Sequence, residues 1–379
     1  MEQTFSIDQK SFSSLLSSMQ PICSRRTALD ATSYILFEVN PRELILKSTD
    51  LEICLQASCP LGESNIETKT TFLVAGRRIF DIVRELESQI KCNVQQHQIT
   101  LLSDSFSLSL NIKNDEEFPP FPERIENLLH FDSSLMLKMI ESVAFLIPQN
   151  NPNPGLNGLL FEIANQTLTM TTTDGHCLAQ ASAPNIAYDE SKSWLIPKRA
   201  IFELKKILES CEDKTIFIGV CANQLVFSGE SFNFFTKLLV DQFPHYQSIL
   251  QRTSFQEVSI NRSKFLKTLR RSACLLSGGQ FIPAKFSFNN DLLKLTLHNK
   301  EVGSLDETLM LETKSNLGLE VRFFPPYLLN GLQSFSDESL KFYLKNSSSP
   351  IIFESQGHAA DENNFHLTYL VMPVSPSAP

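Results

Sequence analysis

The sequence predicts an α+β fold of three repeated domains, each built from antiparallel sheets with two helices. Two observations carry this. First, one peptide pattern recurs three times and ends each time on a proline. Residues 106–112 run on to Phe118-Pro119, residues 232–240 to Phe243-Pro244, and residues 365–371 to Met372-Pro373. The three prolines are spaced by roughly 125 residues, too long for a solenoid unit and right for a whole domain. Second, the order of strand-like and helix-like segments between these endings also repeats.

Each third opens with an alternating strand and a helix. These are Phe5-Ser-Ile7 then residues 9–19, Leu129-His-Phe131 then 133–146, and Val258-Ser-Ile260 then 262–276. Asp8, Asp132 and Asn261 stand where an N-cap side chain accepts a hydrogen bond from the first turn. A second strand and helix follow in each third: Phe72-Leu-Val74 before 77–86, Trp194-Leu-Ile196 before 198–208, and residues 319–323 before 326–332. Pro326 suits a first helical turn. Short alternating strands fill the remainder at 34–39, 43–48, 158–163, 167–172, 215–219, 224–228, 284–288 and 293–297. Asn40-Pro41, Asn165-Gln166 and Asn289-Asn-Asp291 punctuate them at hairpin spacing. Each third thus reads as two helices and about eight strands. Alternating strands joined by hairpins give antiparallel sheets with one face buried, and helices covering that face give an α+β layer. The expected domains are 1–124, 125–252 and 253–379.

With 379 residues and 42% hydrophobic content, the chain can bury two or three cores. A net charge of −9 argues against a general nucleic-acid or membrane coat, though not against a local basic face. No apolar run approaches a membrane span, and residues 1–8 lack the basic start and apolar core of a signal, so a cytoplasmic chain is expected. The eight cysteines show neither C-x-x-C nor zinc-like spacing. They read as isolated reduced thiols, with no metal and no cofactor.

Three predicted helices carry basic faces. In 262–276, Lys264, Lys267 and Arg271 lie opposite the apolar side formed by Phe265, Leu266, Leu269, Ala273 and Leu276. In 198–208, Lys198, Arg199, Lys205 and Lys206 oppose Leu204, Ile207 and Leu208. In 77–86, Arg77 and Arg84 oppose Ile79, Ile82, Val83 and Leu86. One such face is an ordinary solvated surface. Three in repeated domains suit contact with phosphates of any sequence.

Nucleotide-loop, hydrolase-elbow, metalloprotease and EF-hand motifs are absent. The most enzyme-like peptide is Thr171-Thr-Thr-Asp174-Gly-His176-Cys177. It leaves open a hydrolase using Asp174, His176 and Cys177, although Asp174-Gly175 also reads as a hairpin turn.

Ser48-Thr-Asp-Leu-Glu52, Gly155-Leu-Asn-Gly158, Thr172-Thr-Asp-Gly-His176, Ile196-Pro-Lys-Arg199, Leu239-Val-Asp-Gln-Phe-Pro-His-Tyr246 and Tyr369-Leu-Val-Met-Pro373 together resemble the bacterial β sliding clamp family, the processivity subunit of DNA polymerase III. The resemblance spans the whole chain. It implies the DNA clamp fold and a head-to-tail dimeric ring of two chains around double-stranded DNA, held without sequence preference. It also implies a non-catalytic role and no cofactor. The implied partners are the polymerase III alpha subunit, the clamp loader and other clamp-motif proteins. A DNA-binding scaffold that never closes is the other reading. The resemblance adds Arg26 to the DNA-facing residues, and puts Phe106 and Leu108 against Leu275 and Leu276 at the dimer interface. It implies a partner-peptide cleft formed by Leu156, Thr173, Gly175, His176 and Leu178, by Pro244 and Ile249, and by Leu370, Met372, Pro373 and Val374. Relatives carry basic residues where this chain has Cys177, Ser248 and Ser375. Its cleft rim is therefore expected to be less basic, and acidic-flanked partner motifs to gain little from it.

Overall fold

The computed structural model describes residues 3–25, 27–103, 106–122, 126–221, 223–276, 280–355 and 365–374. Arg26 lies outside them, as do Ser375 and the rest of the Pro-rich tail. The first third runs β1 (Gln3–Asp8), α1 (Gln9–Cys23), β2 (Tyr34–Val39), β3 (Glu43–Thr49), β4 (Ile53–Pro60), β5 (Thr70–Ala75), α2 (Gly76–Val83), β6 (Gln89–Val94), β7 (Gln98–Ser103) and β8 (Phe106–Lys113). The second repeats that order: β9 (Glu126–Asp132), α3 (Ser133–Val143), β10 (Gly158–Ala164), β11 (Thr167–Thr173), β12 (Cys177–Ala183), β13 (Lys192–Pro197), α4 (Lys198–Ser210), β14 (Thr215–Cys221), β15 (Gln224–Ser228) and β16 (Phe232–Lys237). The last has β17 (Gln256–Asn261), α5 (Arg262–Ala273), β18 (Ala284–Asn299), β19 (Gly303–Phe323), α6 (Pro325–Leu332), β20 (Ser339–Leu344), β21 (Ile351–Glu354) and β22 (His366–Val371).

The three expected N-caps form. Asp8, Asp132 and Asn261 accept from the amides of Ser11, Leu135 and Lys264 at 3.0, 2.8 and 3.1 Å. Helix ends differ from expectation. α1 continues through Pro21 to Cys23, because Ile22 and Cys23 are buried and packing overrides the break. α5 stops at Ala273, and the Leu275 and Leu276 amides close tighter bonds to Ser272 and Ala273 at 3.2 and 3.0 Å. In the last third, two long strands replace four short ones. The expected turn at Asn289–Asp291 falls on a register break inside β18, where Asn290 takes a φ of 54°. Asparagine tolerates that left-handed conformation better than most residues.

The chain forms two compact units, residues 1–137 with 199–238, and residues 138–198 with 239–379. The first holds a twelve-stranded sheet in the order β1-β6-β7-β8-β5-β2-β3-β4-β16-β15-β14-β9. Its buried core includes Phe12, Phe37 and Phe72, with Phe37 stacked on Phe72 at 5.4 Å. The second holds an eight-stranded sheet, β13-β10-β11-β12-β22-β21-β20-β17, and the β18–β19 pair. Leu160, Leu178, Leu195, Tyr246, Ile352 and Leu370 cluster in its core.

The recurrent ending strands have different surroundings. β16 pairs with β4, Phe232 opposite Ala57, and β22 pairs with β12, Leu370 opposite Leu178. Both strands are mostly buried. β8 pairs with β7 from Phe106 to Asn111 and meets β5 only at Ile112 and Lys113. No residue of β8 is fully buried.

Candidate functional site

The expected cleft residues all lie in the second unit. The β11–β12 turn, the segment after Leu239 and the end of β22 bring them together. The Met372 amide donates to the His176 carbonyl at 2.9 Å, and Val374 to Arg322 at 2.8 Å, so residues 372–374 extend the sheet edge past β22. The Phe243–Ile249 segment is pinned through Tyr246, whose hydroxyl donates to Glu162 Oε2 at 2.7 Å and accepts from Gln180 Nε2 at 3.2 Å. Gly155 permits the neighbouring chain to approach: a Cβ there would sit 2.3 Å from the Gln242 carbonyl oxygen.

Leu156, Thr173, Leu178 and Leu370 are buried. Gly175, His176, Pro244 and Ile249 are exposed, and Met372, Pro373 and Val374 half-buried. Met372 packs against the buried cluster that holds Leu178 and Leu370. Sequence reasoning missed an aromatic shelf beside this rim. Tyr327 lies 5.5 Å from the His176 ring, and Phe281 and Phe324 pack near it as a tilted pair with centroids 4.5 Å apart. The run Phe323-Phe-Pro-Pro-Tyr327 was the available signal, but its position at a helix start reads equally well as core.

The Asp174-His176-Cys177 peptide is a turn. Asp174 Oδ1 accepts the amides of His176 and Cys177 at 2.8 and 2.7 Å, and Gly175 has a φ of 93°. The Cys177 thiol is 1% exposed, and burial pushes its pKa far up, so it holds no nucleophilic thiolate. The hydrolase reading is not favoured. Among the described residues, no His, Cys, Asp or Glu group is placed to hold a metal ion. No described helix is long and apolar enough to cross a membrane.

The basic helix residues divide into held and free. In the first unit, Arg77 and Arg84 are exposed, with Asp81 at 3.8 and 3.6 Å, and Arg84 Nε also donates to Glu85 Oε1 at 3.0 Å. Lys205 pairs with Glu209 at 3.3 Å, and Arg199 with the buried Asp50. In the second unit, Lys198 Nζ donates to the Ile147 carbonyl at 2.8 Å and Arg271 pairs with Glu307. Lys264 and Lys267 are exposed on α5. At the expected interface, Phe106 is 37% exposed, and Leu108, Leu275 and Leu276 are half-buried.

Three repeats of this strand-and-helix order, with two helices each, constitute the DNA clamp fold. Sequence models of the DNA polymerase III beta subunit match in order: its N-terminal domain on residues 3–122, central domain on 130–245 and C-terminal domain on 247–375. The Beta sliding clamp of Pseudomonas aeruginosa is 27% identical over 376 residues, covering 98% of this chain and 99% of that protein. The crystal structure of the Pseudomonas aeruginosa subunit superposes with a TM-score of 0.87 at 25% identity, over 98% of this chain and 99% of that one. Another, of the same organism's clamp bound to griselimycin, has a TM-score of 0.88, at 25% identity over 99% of this chain and 100% of that one. The chain belongs to the DNA polymerase III beta subunit family, the sliding clamps of DNA replication.

Proposed function

We propose that two copies of this chain close head to tail into a ring around duplex DNA and act without catalysis as a mobile tether. The observation that carries this is the inequality of the three ending strands. β16 and β22 each pair with the β4-type strand of the preceding third, whereas β8, among the described residues, pairs only with β7 and, at Ile112 and Lys113, with β5. Its open edge and half-buried Leu108 fit the last third of a second copy, with Leu275 and Leu276 nearby. An interface between unlike surfaces closes only when its rotation completes a circle. The three domains are taken as 1–124, 125–252 and 253–379.

Lys264 and Lys267, with Arg77 and Arg84, supply phosphate contacts that carry no base readout, so the ring can shift along the duplex at little cost. Lys198, Arg199, Lys205 and Arg271 add positive potential from held positions. The rim of His176, Pro244, Ile249, Met372, Pro373 and Val374 takes the Gln- and Leu/Phe-containing motifs of the polymerase alpha subunit, the clamp loader and other clamp-motif proteins. The site of action is the cytoplasm. The test is to load the protein onto nicked circular DNA with a clamp loader and then linearise the circle. A ring stays on the circle and leaves the linear form. Loss governed by salt alone, indifferent to DNA ends, would sink the topological mechanism.

A further inference from the structure

We propose that Arg322, with Lys285 beside it, forms an anion-recognising extension of this cleft that takes an Asp or Glu side chain flanking the apolar anchor of a partner peptide. The inference rests on the cleft reading above and names the chemistry of the partner's flank. Lys285 and Arg322 stand directly opposite each other on β18 and β19. Like charges in that position destabilise a strand pair unless something anionic compensates. The protein sets one carboxylate, Glu320, against the two cations. Lys285 reaches diagonally to Glu320, Nζ to Oε1 at 3.1 Å, and Glu320 also accepts from Ser287 Oγ at 3.0 Å. Arg322 is exposed between buried Val321 and Phe323; it forms no direct salt bridge among the described residues and is attracted only at longer range by the same Glu320.

Its position ties it to the cleft. The Arg322 carbonyl accepts the Val374 amide at 2.8 Å, so the guanidinium is carried on the strand that borders residues 372–374. Both cations line a groove of about 410 Å³, together with Glu320, and its other walls include Ser347, Ser348, Met372, Pro373 and Val374. The groove thus runs from an apolar edge to a net positive end, and a guanidinium fork matches a carboxylate better than it matches water. Positions 177, 248 and 375 contribute no cation here. Arg322 comes from a different strand, so the expectation that acidic flanks gain little is replaced by a preference for them.

The test uses fluorescein-labelled Gln- and Leu/Phe-containing peptides, identical except for a flanking Glu, Gln or Lys, titrated with the full chain at low and high salt. The Glu peptide should bind about 3- to 5-fold tighter than the Gln peptide at low salt, with the difference shrinking as salt rises. Arg322→Glu should reverse the order in favour of the Lys peptide, an outcome that misfolding cannot produce. Lys294→Ala, a charge change elsewhere on β18, should keep the Glu preference. Equal affinity of the Glu and Gln peptides, with both binding, overturns this inference and leaves the cleft standing. Failure of all three peptides to bind overturns the cleft reading and this inference with it.

Discussion

Arg199, near the start of α4, is held by the carboxylate of Asp50, 149 residues earlier in the chain. The same carboxylate accepts the amides of Glu52 and Ile53 at 3.0 and 2.8 Å, and Arg25 pairs with it at 3.5 Å. Arg199 also donates to the Pro21 carbonyl at 3.3 Å. The Asp50 side chain has no solvent exposure, so it joins a turn, a helix end and α4 of the first unit at one point. Asp50→Ala leaves two amides and a guanidinium without their acceptor, and should cost about 3 kcal/mol in urea unfolding. Asp50→Asn keeps an oxygen for the turn and should cost less. Equal losses from both would show that the charge on Asp50 is irrelevant.

That joint explains what was and was not legible in the sequence. Thr49-Asp50-Leu51 and Thr173-Asp174-Gly175 build the same turn in successive thirds: each Asp accepts two amides downstream, and Leu51 and Gly175 both have positive φ, 73° and 93°. The Asp174-Gly175 turn was readable because local hydrogen bonding fixes it, as it fixes the caps at Asp8, Asp132 and Asn261; its counterpart at Asp50 emerges only in the structure. The helical wheel likewise showed which faces of α4 and α5 are polar. It could not show that Asp50 would arrive from a distant turn, or Glu307 from a distant strand, and occupy Arg199 and Arg271. Nor could it bring Phe281 beside Tyr327, since that contact depends on how β18 and α6 are placed.

Glu307 links β19 to α5. It accepts from Thr268 Oγ1 at 2.8 Å and from Arg271 Nε at 3.0 Å, and the Arg271 hydrogen bond holds its pKa below the usual 4.5. A depressed carboxylate pKa contributes stability above the unfolded value, and that stability is lost as pH falls through the lower folded value. Glu307→Gln should therefore flatten the loss of stability below pH 4.5. It should also release Arg271, making the slope of log K for DNA against log salt more negative by about 0.9. An unchanged slope would mean that Arg271 does not face phosphate.

Gly331 in α6 lies against the ring of Tyr369. A Cβ there would stand 2.1 Å from Tyr369 Cε1, while the Tyr369 hydroxyl donates to the Tyr327 carbonyl at 2.7 Å. Tyr369 is 1% exposed and has no room to move aside. Gly331→Ala should cost about 2 kcal/mol despite the better helix propensity of alanine. Tyr369→Phe, which removes only the hydroxyl, should cost about 1 kcal/mol. A stabilised Gly331→Ala variant, judged by its thermal midpoint, would show that α6 shifts freely against β22.

β8 decides between a ring and a scaffold that never closes. If its open edge pairs with a second copy, a charge placed on its half-buried face must be desolvated on association, where no partner awaits it. Leu108→Asp should then convert a particle of about twice the 42.8 kDa chain mass into a monomer in multi-angle light scattering at micromolar concentration. The fold of the single chain should persist, because Leu108 is outside the Phe12–Phe37–Phe72 core and, among the described residues, pairs with Leu101 on β7. The monomeric variant should bind DNA with ordinary salt sensitivity but leave circles and linear molecules equally fast. A Leu108→Asp protein that remains dimeric would place the interface elsewhere. One that is monomeric yet still retained on circles would remove ring closure from the mechanism.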